Sequence, residues 1–166
     1  MELAETAPSQ LGPAVEPSAG DTPHRICLIT LGGELFAVDL RHVREVFEVE
    51  SVTPVPGMPS TLTGVANLRG TVMPLADLRP VLGLPASGPR PKYAVVVQYD
   101  AQQVAVLVDQ VPEIRTIRAG EMLEASTRGT KGVRPFVSTI VKVDERMSGF
   151  IEIRTLLACV EAGEGH

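Results

Sequence analysis

The sequence predicts an all-β fold with short helices, in which roughly eight to ten short strands form two small barrels packed together. Fourteen prolines and fifteen glycines are spread along the 166 residues and divide the chain into short segments. Only 4% of the residues are aromatic and none is tryptophan, so the core must be built from aliphatic side chains. A closed barrel has no free sheet edge and can be filled by such side chains alone.

One globular domain is expected, because 166 residues with 44% hydrophobic side chains are typical of a single soluble unit. Residues 1–23 contain four acidic and no basic side chains among Pro, Ala, Ser and Gly without periodicity, and we predict a disordered tail there. The domain is placed at 24–160, with a frayed carboxyl terminus at 161–166. Outside the tail, acidic and basic side chains are nearly balanced, which argues against a nucleic-acid surface.

The first predicted hairpin joins residues 25–31 to 34–38 through Gly32-Gly33, a pair that tolerates the positive φ angles of a two-residue turn. Residues 40–47 have apolar side chains at helical spacing and predict one or two turns of helix, with the intervening polar residues facing solvent. Residues 51–61 contain three prolines and predict an extended surface connection.

The most informative stretch is residues 64–79, GVANLRGTVMPLADLR. Its two apolar runs, at 65–68 and 71–75, predict short strands joined by a turn that places Arg69 at the tip. Pro74 cannot donate to a β ladder, so we expect the second strand at a sheet edge or a bulge. Asp77 is predicted to cap a short helix, at residues 78–82, that ends at Gly83.

The second half of the chain is predicted to begin after a Pro/Gly/Ser loop at 85–92. A hairpin of 93–99 and 104–111 is apolar on both faces and should therefore be sandwiched between other elements. The remaining predicted elements are a strand at 112–117, a solvated loop at 118–135, a closing hairpin of 136–143 and 149–153, and a short helix near 155–161.

No catalytic or metal-binding arrangement is visible in the sequence. The three histidines are scattered, and Cys27 and Cys159 lie in apolar surroundings typical of plain core thiols. No apolar run approaches the roughly 20 residues needed to cross a bilayer. We therefore expect a soluble cytoplasmic protein that works by binding and needs no cofactor.

Three stretches of the sequence resemble the CheW family, the coupling proteins of bacterial chemotaxis-type signalling. They are LGGELFAVDLRHVREVF at 31–47, VTPVPGMPSTLTGVANLRGTVMPLADLRPVLGL at 52–84 and VAVLVDQV at 104–111, within a similarity that runs from about 25 to 157. The resemblance implies two intertwined five-stranded SH3-like barrels. It also implies a non-enzymatic adaptor, which bridges the cytoplasmic tip of a methyl-accepting chemoreceptor and the regulatory domain of a CheA-type histidine kinase.

The resemblance also assigns site residues. Arg69 of the N-L-R-G motif would lie at a partner-binding surface, with Gly64 and Val65 in the same neighbourhood. Val43 and Glu45 of the V-x-E segment would take part in coupling. By the same resemblance, four further residues of these motifs are structural: Asn67, Leu68, Asp77 and Arg79.

Departures from the family pattern at Ala66, Ala105 and Gln110 leave an alternative open, a specialised paralogue that binds only the receptor or only the kinase.

Two other classes of protein are also considered. A β-barrel enzyme would need convergent polar groups in a pocket. A nucleic-acid-binding barrel would need a positive face built from distant residues. The candidates for that face are Arg115, Arg118, Arg128, Lys131 and Arg134.

Overall fold

The computed structural model of the protein describes residues 23–85, 90–124 and 135–162. The described residues form eleven strands, one α-helix and two 3-10 turns, at Leu40–His42 and Ala119–Glu121. The strands are β1 Pro23–Leu31, β2 Glu34–Asp39, β3 Val43–Glu48, β4 Leu62–Leu68, β5 Thr71–Ala76, β6 Tyr93–Tyr99, β7 Gln102–Val108, β8 Glu113–Arg118, β9 Met122–Glu124, β10 Val137–Val143 and β11 Arg146–Ile151. The helix α1 is Ile153–Ala162.

The strands form two sheets. Barrel one has the order β3-β6-β7-β5-β4, and barrel two has the order β8-β1-β2-β11-β10-β9. The predicted all-β fold is confirmed, with six strands in the second sheet instead of five. The sixth strand, β9, lies at the start of the region predicted as a solvated loop, because the chain after β8 makes a 3-10 turn and pairs with β10.

Each sheet closes around an interior cluster of aliphatic side chains. All five strands of barrel one contribute to one cluster, which includes Phe47, Ala66, Leu75, Val96 and Leu107. Barrel one is closed further where Thr53, in the connection after β3, pairs with Val65 of β4. Barrel two encloses a smaller cluster, which includes Ile26, Leu28, Ile117, Val141 and Phe150. Each barrel therefore has an interior of its own, filled without tryptophan.

A third cluster, here called the interlayer, lies between the barrels. It takes alternate residues of β1, β2, β6 and β7, together with apolar residues of α1. On β6, for example, Val95 and Val97 face the interlayer, while Ala94 and Val96 face the interior of barrel one. This arrangement confirms that the second hairpin is sandwiched. Each fully buried Val, Leu or Ile contributes roughly 1.5–3 kcal/mol, so the interlayer is a major source of stability.

The chain route is intertwined. Barrel one comes from the continuous middle of the chain, whereas barrel two combines the first two strands with the last four. The loop predicted to divide the halves, 85–92, does not separate the barrels, because β5 before it and β7 after it pair in parallel. The chain crosses between barrels at Leu40–His42 and again between β7 and β8.

The helix predicted at 40–47 is wrong. Only Leu40–His42 forms a 3-10 turn, in which the Asp39 carboxylate accepts the backbone N–H of Arg41, and β3 follows directly. Apolar residues at helical spacing on β3 are also compatible with a strand that has a bulge, and pairing with β6 decides between the two. Val43 and Glu45 therefore lie on a strand.

The helix predicted at 78–82 is also wrong, although its cap is present. Asp77 accepts the backbone N–H of Arg79, and Leu82 donates to the carbonyl of Leu78 at 3.0 Å, but the segment continues only as turns. Gly83 has a φ of 72° and its N–H donates to the carbonyl of Pro80, so the segment ends at Gly83, as predicted, after a single turn.

Pro74 was expected at a sheet edge or a bulge. It lies on β5, an inner strand, next to a register shift between Leu62 and Gly64 in the pairing of β4 with β5. The position is tolerated because the pairing of β5 with β7 begins only at Leu75, one residue later.

The other predicted elements are confirmed with small shifts. The turn between β6 and β7 is two residues, 100–101, where a link of 100–103 was expected. Helix α1 begins at Ile153, two residues earlier than predicted. Cys27 is buried and Cys159 half-buried, as core thiols should be. The tail predicted at 1–23 lies outside the described residues except for Pro23, and so do residues 125–134 and 163–166.

Candidate functional site

The turn between β4 and β5 is a two-residue hairpin turn of the type in which both central residues have positive φ. Arg69 and Gly70 both have positive φ, 54° and 84°. Such a two-residue turn matches the twist of the flanking strands. The backbone N–H of Gly70 donates to Asn67 Oδ1 at 2.8 Å, which supports the turn from the preceding strand. The N-L-R-G motif thereby fixes a tip at which the Arg69 side chain is 75% exposed.

Arg69 pairs with Glu45, which the structure brings to the tip from β3. Arg69 Nη1 donates to Glu45 Oε1 at 2.7 Å and to Oε2 at 3.1 Å. Two residues that different motifs assigned to a binding surface are therefore in direct contact. An exposed ion pair contributes only about 0–1 kcal/mol to stability, so this contact orients the guanidinium more than it stabilises the fold.

A β-bulge in β3 directs Glu45 to this position. Val43 pairs with Val97, but Glu45 pairs with Val96, so the register shifts between the two. As a result Val43 packs against the interlayer, while Glu45 lies on the same face of β3 as Phe47, which packs against the interior of barrel one. The bulge explains why Val43 and Glu45, which are only two residues apart, lie in different surroundings.

Gly64 is buried in the first half of β4, toward the end of the strand away from the tip. A Cβ atom on Gly64 would approach the carbonyl oxygen of Thr53 to 2.5 Å. Only a glycine allows the 52–53 segment to lie this close, and Val65 exchanges two backbone hydrogen bonds with Thr53, at 2.8 and 2.9 Å. Gly64 and half-buried Val65 thus hold the 52–53 connection against β4, away from the tip.

Val72 is an exposed apolar residue beside the tip that sequence reasoning missed. It lies opposite Asn67 on β5, and it is 62% exposed. The signal was present in the sequence, because Val72 and Met73 are adjacent apolar residues on a strand where alternation requires one to face outward. We call Glu45, Arg69 and Val72 the hairpin-tip surface. A guanidinium beside an apolar patch is typical of protein–protein contacts.

Of the five residues considered for a nucleic-acid face, the structure describes only Arg115 and Arg118. Arg115 is paired with Glu113, at 2.9 Å, and with Asp144 across a cleft in barrel two. These hydrogen bonds, first to Asp144 and then to Glu113, raise the pKa of the Arg115 guanidinium. Three of the five candidate residues, Arg128, Lys131 and Arg134, lie outside the described residues.

Within the described ranges, no group of three His, Cys, Asp or Glu side chains is close enough to hold a metal ion. A search of the same ranges also finds no helix with the length and hydropathy to span a bilayer.

Comparison with known proteins identifies relatives across most of the chain. A family model described as CheW-like domain matches residues 25–161. The chain is 31% identical over 134 residues to a probable chemotaxis protein CheW of Rhizobium etli, covering 80% of this chain and 86% of the relative. It is 28% identical over 145 residues to the chemotaxis protein CheW of Klebsiella aerogenes, covering 86% and 87%.

A solved structure has the same fold. The scaffolding protein TtCheW from Thermoanaerobacter tengcongensis superposes with a TM-score of 0.69 and 29% sequence identity, over 79% of this chain and 90% of that chain.

Proposed function

Because the chain belongs to the CheW-like domain family, we propose that it is a non-enzymatic adaptor that couples chemoreceptors to a CheA-type histidine kinase in a chemotaxis-like pathway. The resemblance seen in the sequence is confirmed by the family match. Two supports for the adaptor role are the names of the relatives, chemotaxis protein CheW, and the description of the solved structure as a scaffolding protein. The proposal places the protein in the cytoplasm, associated with receptor arrays and not inserted in the membrane.

The observation that carries this proposal is the contact between Arg69 and Glu45. The two side chains come from opposite edges of barrel one and meet at an exposed tip. In the proposal, Arg69 contacts the partner directly and Glu45 aims its guanidinium. Val65 and Gly64 hold β4 against the 52–53 segment, and Val43 anchors the start of β3 on the interlayer.

The departures from the family pattern do not alter this surface. Ala66 and Ala105 are buried in the interior of barrel one. Gln110 donates to Thr30 Oγ1 in barrel two at 3.3 Å, away from the tip. These positions give no structural reason for the loss of one partner, and we therefore favour an adaptor with both. The specialised paralogue is tested by assaying each partner separately.

The test is titration calorimetry with two purified partners from the same genome, the cytoplasmic hairpin fragment of a chemoreceptor and the regulatory domain of the kinase. Arg69→Glu should weaken binding of at least one partner by roughly tenfold or more, because arginine is a favoured hot-spot residue. Arg41→Glu is the matched control, since Arg41 is also exposed and also ion-paired, with Asp39.

Undiminished binding by Arg69→Glu would show that the site is misassigned. Unfolding of that variant, measured by circular dichroism, would show that Arg69 is structural. Failure of the unmodified protein to bind either partner, combined with salt-sensitive binding to RNA, would replace the adaptor proposal with the nucleic-acid alternative.

A further inference from the structure

The triplet Asp-Leu-Arg occurs twice in the chain, at 39–41 and at 77–79. The first copy begins at the last residue of β2 in barrel two, and the second directly follows β5 in barrel one. Each of these strands is the second strand of a hairpin. Those strands occupy equivalent places, since each pairs in parallel with the last strand of its barrel's second hairpin, β11 or β7. The leucine of each triplet packs in or against the interlayer. The two turns are therefore repeats of one structural unit.

The two turns share three hydrogen bonds, and the first has one more, from Arg41 Nε to Asp39 Oδ2 at 3.2 Å. The aspartate accepts the backbone N–H of the arginine at 2.9 Å in the first turn and 3.1 Å in the second. It also accepts from arginine Nε, at 3.1 and 2.9 Å, and from Nη2, at 2.7 and 2.8 Å. Local geometry thus gives no reason for the two arginines to behave differently.

The surroundings differ sharply. The Arg41 side chain is 81% exposed, but that of Arg79 is only 10% exposed. A buried guanidinium is uncommon and needs a compensating role. The carbonyl of Arg79 accepts the N–H of Leu84 at 2.8 Å, which folds the 77–85 turn back on itself. A Cβ atom on Gly32 would come within 3.0 Å of Leu84 Cβ and of Pro85 O, so this turn of barrel one touches the β1–β2 turn of barrel two.

Asp109 makes a second contact at the same place. It follows β7 of barrel one, and its backbone N–H donates to the carbonyl of Thr30 in barrel two at 2.8 Å. Its Oδ2 accepts the N–H of Gly33 at 3.0 Å. Hydrogen bonding to Asp77 raises the pKa of the Arg79 guanidinium, and the charge of Asp109 adds to this effect. We call Gly32, Gly33, Asp77, Arg79 and Asp109 the polar joint.

We propose that Arg79 and Asp109 are positioning residues that set the orientation of barrel two relative to barrel one. The interlayer is apolar, and hydrophobic contact is not directional, so it holds the barrels together without selecting one angle. The hydrogen bonds of Asp109 to Thr30 and Gly33 are directional and cross between the barrels. The Asp77–Arg79 ion pair shapes the turn whose residues Leu84 and Pro85 lie against Gly32 of barrel two. The inference rests on the proposed function, because an adaptor that uses both barrels needs a fixed angle between its binding surfaces.

The test is a distance measurement between spin labels on the two barrels of the full chain without partners. Labels are attached at Val72→Cys in barrel one and Met147→Cys in barrel two, both exposed positions, in a Cys159→Ser background. Cys27 is buried and stays unlabelled, since burial raises the pKa of its thiol to about 11. The unmodified joint should give one narrow distance distribution in pulsed electron paramagnetic resonance.

Two variants break the joint. The double variant Asp77→Leu/Arg79→Leu removes both charges, so no unpaired buried charge remains. Asp109→Ala removes the bond to Gly33 but leaves the Asp77–Arg79 pair intact. Both should broaden or shift the distance distribution, while the matched control Asp39→Leu/Arg41→Leu should not. If circular dichroism shows that the double variant does not fold, the Asp109→Ala variant alone tests the proposal. An unchanged distribution in a folded variant overturns the proposal.

A binding measurement separates this inference from the adaptor proposal. If the distance distribution changes but the unmodified protein binds neither receptor nor kinase fragment, the polar joint stands and the adaptor function fails. If the unmodified protein binds and the distance distribution does not respond to the variants, the adaptor function stands and the polar joint fails. If the adaptor function and the polar joint are both correct, a variant of the polar joint should bind a partner that contacts both barrels more weakly, by roughly tenfold or more.

Discussion

Arg69 and Arg79 lie on either side of β5, and each holds a carboxylate at nearly the same distance, 2.7 and 2.8 Å. Arg69 is exposed and pairs with Glu45 from another strand, whereas Arg79 is buried and pairs with Asp77 of its own turn. The difference shows that ion-pair geometry does not reveal the role of an arginine. Burial of the side chain distinguishes the two roles, because a buried charge without its partner is costly, whereas an exposed charge is solvated by water.

Replacing Arg79 should have the largest effect on stability. Arg79→Leu leaves the Asp77 carboxylate without its main partner, and we expect the free energy of unfolding to fall by about 3 kcal/mol. Urea unfolding followed by circular dichroism measures this. Arg79→Lys keeps the charge but loses the two-pronged hydrogen bond, so its stability should lie between that of Arg79→Leu and that of the unmodified protein. A loss no greater than that of a surface substitution would contradict the contrast between the arginines.

Replacing Gly64 should have the next largest effect on stability. Gly64→Ala forces a Cβ atom against the backbone of Thr53, and overpacking of this kind costs about 2 kcal/mol. Gly70→Ala is the control, because Gly70 has positive φ but open space around its Cβ position, and left-handed strain alone costs about 1 kcal/mol. Equal destabilisation of both variants in urea would show that close packing at Gly64 is unimportant.

Reversing the exposed pair should affect binding but not folding. The double variant Glu45→Arg/Arg69→Glu keeps an ion pair at the tip, so its unfolding free energy should stay within about 0.5 kcal/mol of the unmodified protein. Binding to the partner fragments should remain as weak as for Arg69→Glu, because the charge presented to the partner is still reversed. Recovery of binding in calorimetry would mean that only the internal pair matters and that Arg69 does not contact the partner.

Replacing Arg41 should have the smallest effect. Arg41→Leu removes hydrogen bonds that match those of Arg79, but its side chain is exposed to solvent. We expect no measurable change in the urea midpoint or in partner binding. A change as large as that of Arg79→Leu would mean that the local turn, and not its place between the barrels, is what the triplet stabilises.

The hairpins were predictable because their turns are specified by adjacent residues. Gly32-Gly33 supplies two glycines for its turn, and Gly70 supplies one for the turn of the N-L-R-G motif, where Arg69 also has a positive φ. Both turns form as expected. The helix expected at 40–47 failed for the opposite reason. Its apolar spacing suits either a helix or a bulged strand, and the partner strand that decides, β6, lies far away in the sequence.

The site was predictable only in part. The family resemblance named Arg69 and Glu45, but their contact depends on closure of barrel one, which no local pattern encodes. Nor did the sequence distinguish buried Gly64 from exposed Arg69, because both belong to one motif. The repeated Asp-Leu-Arg triplet, in contrast, is visible in the amino-acid sequence and by itself indicates two related units.

The intertwined chain route has a consequence for synthesis of the protein. All strands of barrel one leave the ribosome in one continuous stretch, so barrel one can close as soon as β7 has emerged. The first hairpin, β1–β2, must wait for β11, because Phe36 of β2 pairs with Gly149 near the far end of the domain. Such distant parallel pairing is slow. We therefore expect barrel one to fold first and to provide the surface on which the two ends of the chain meet.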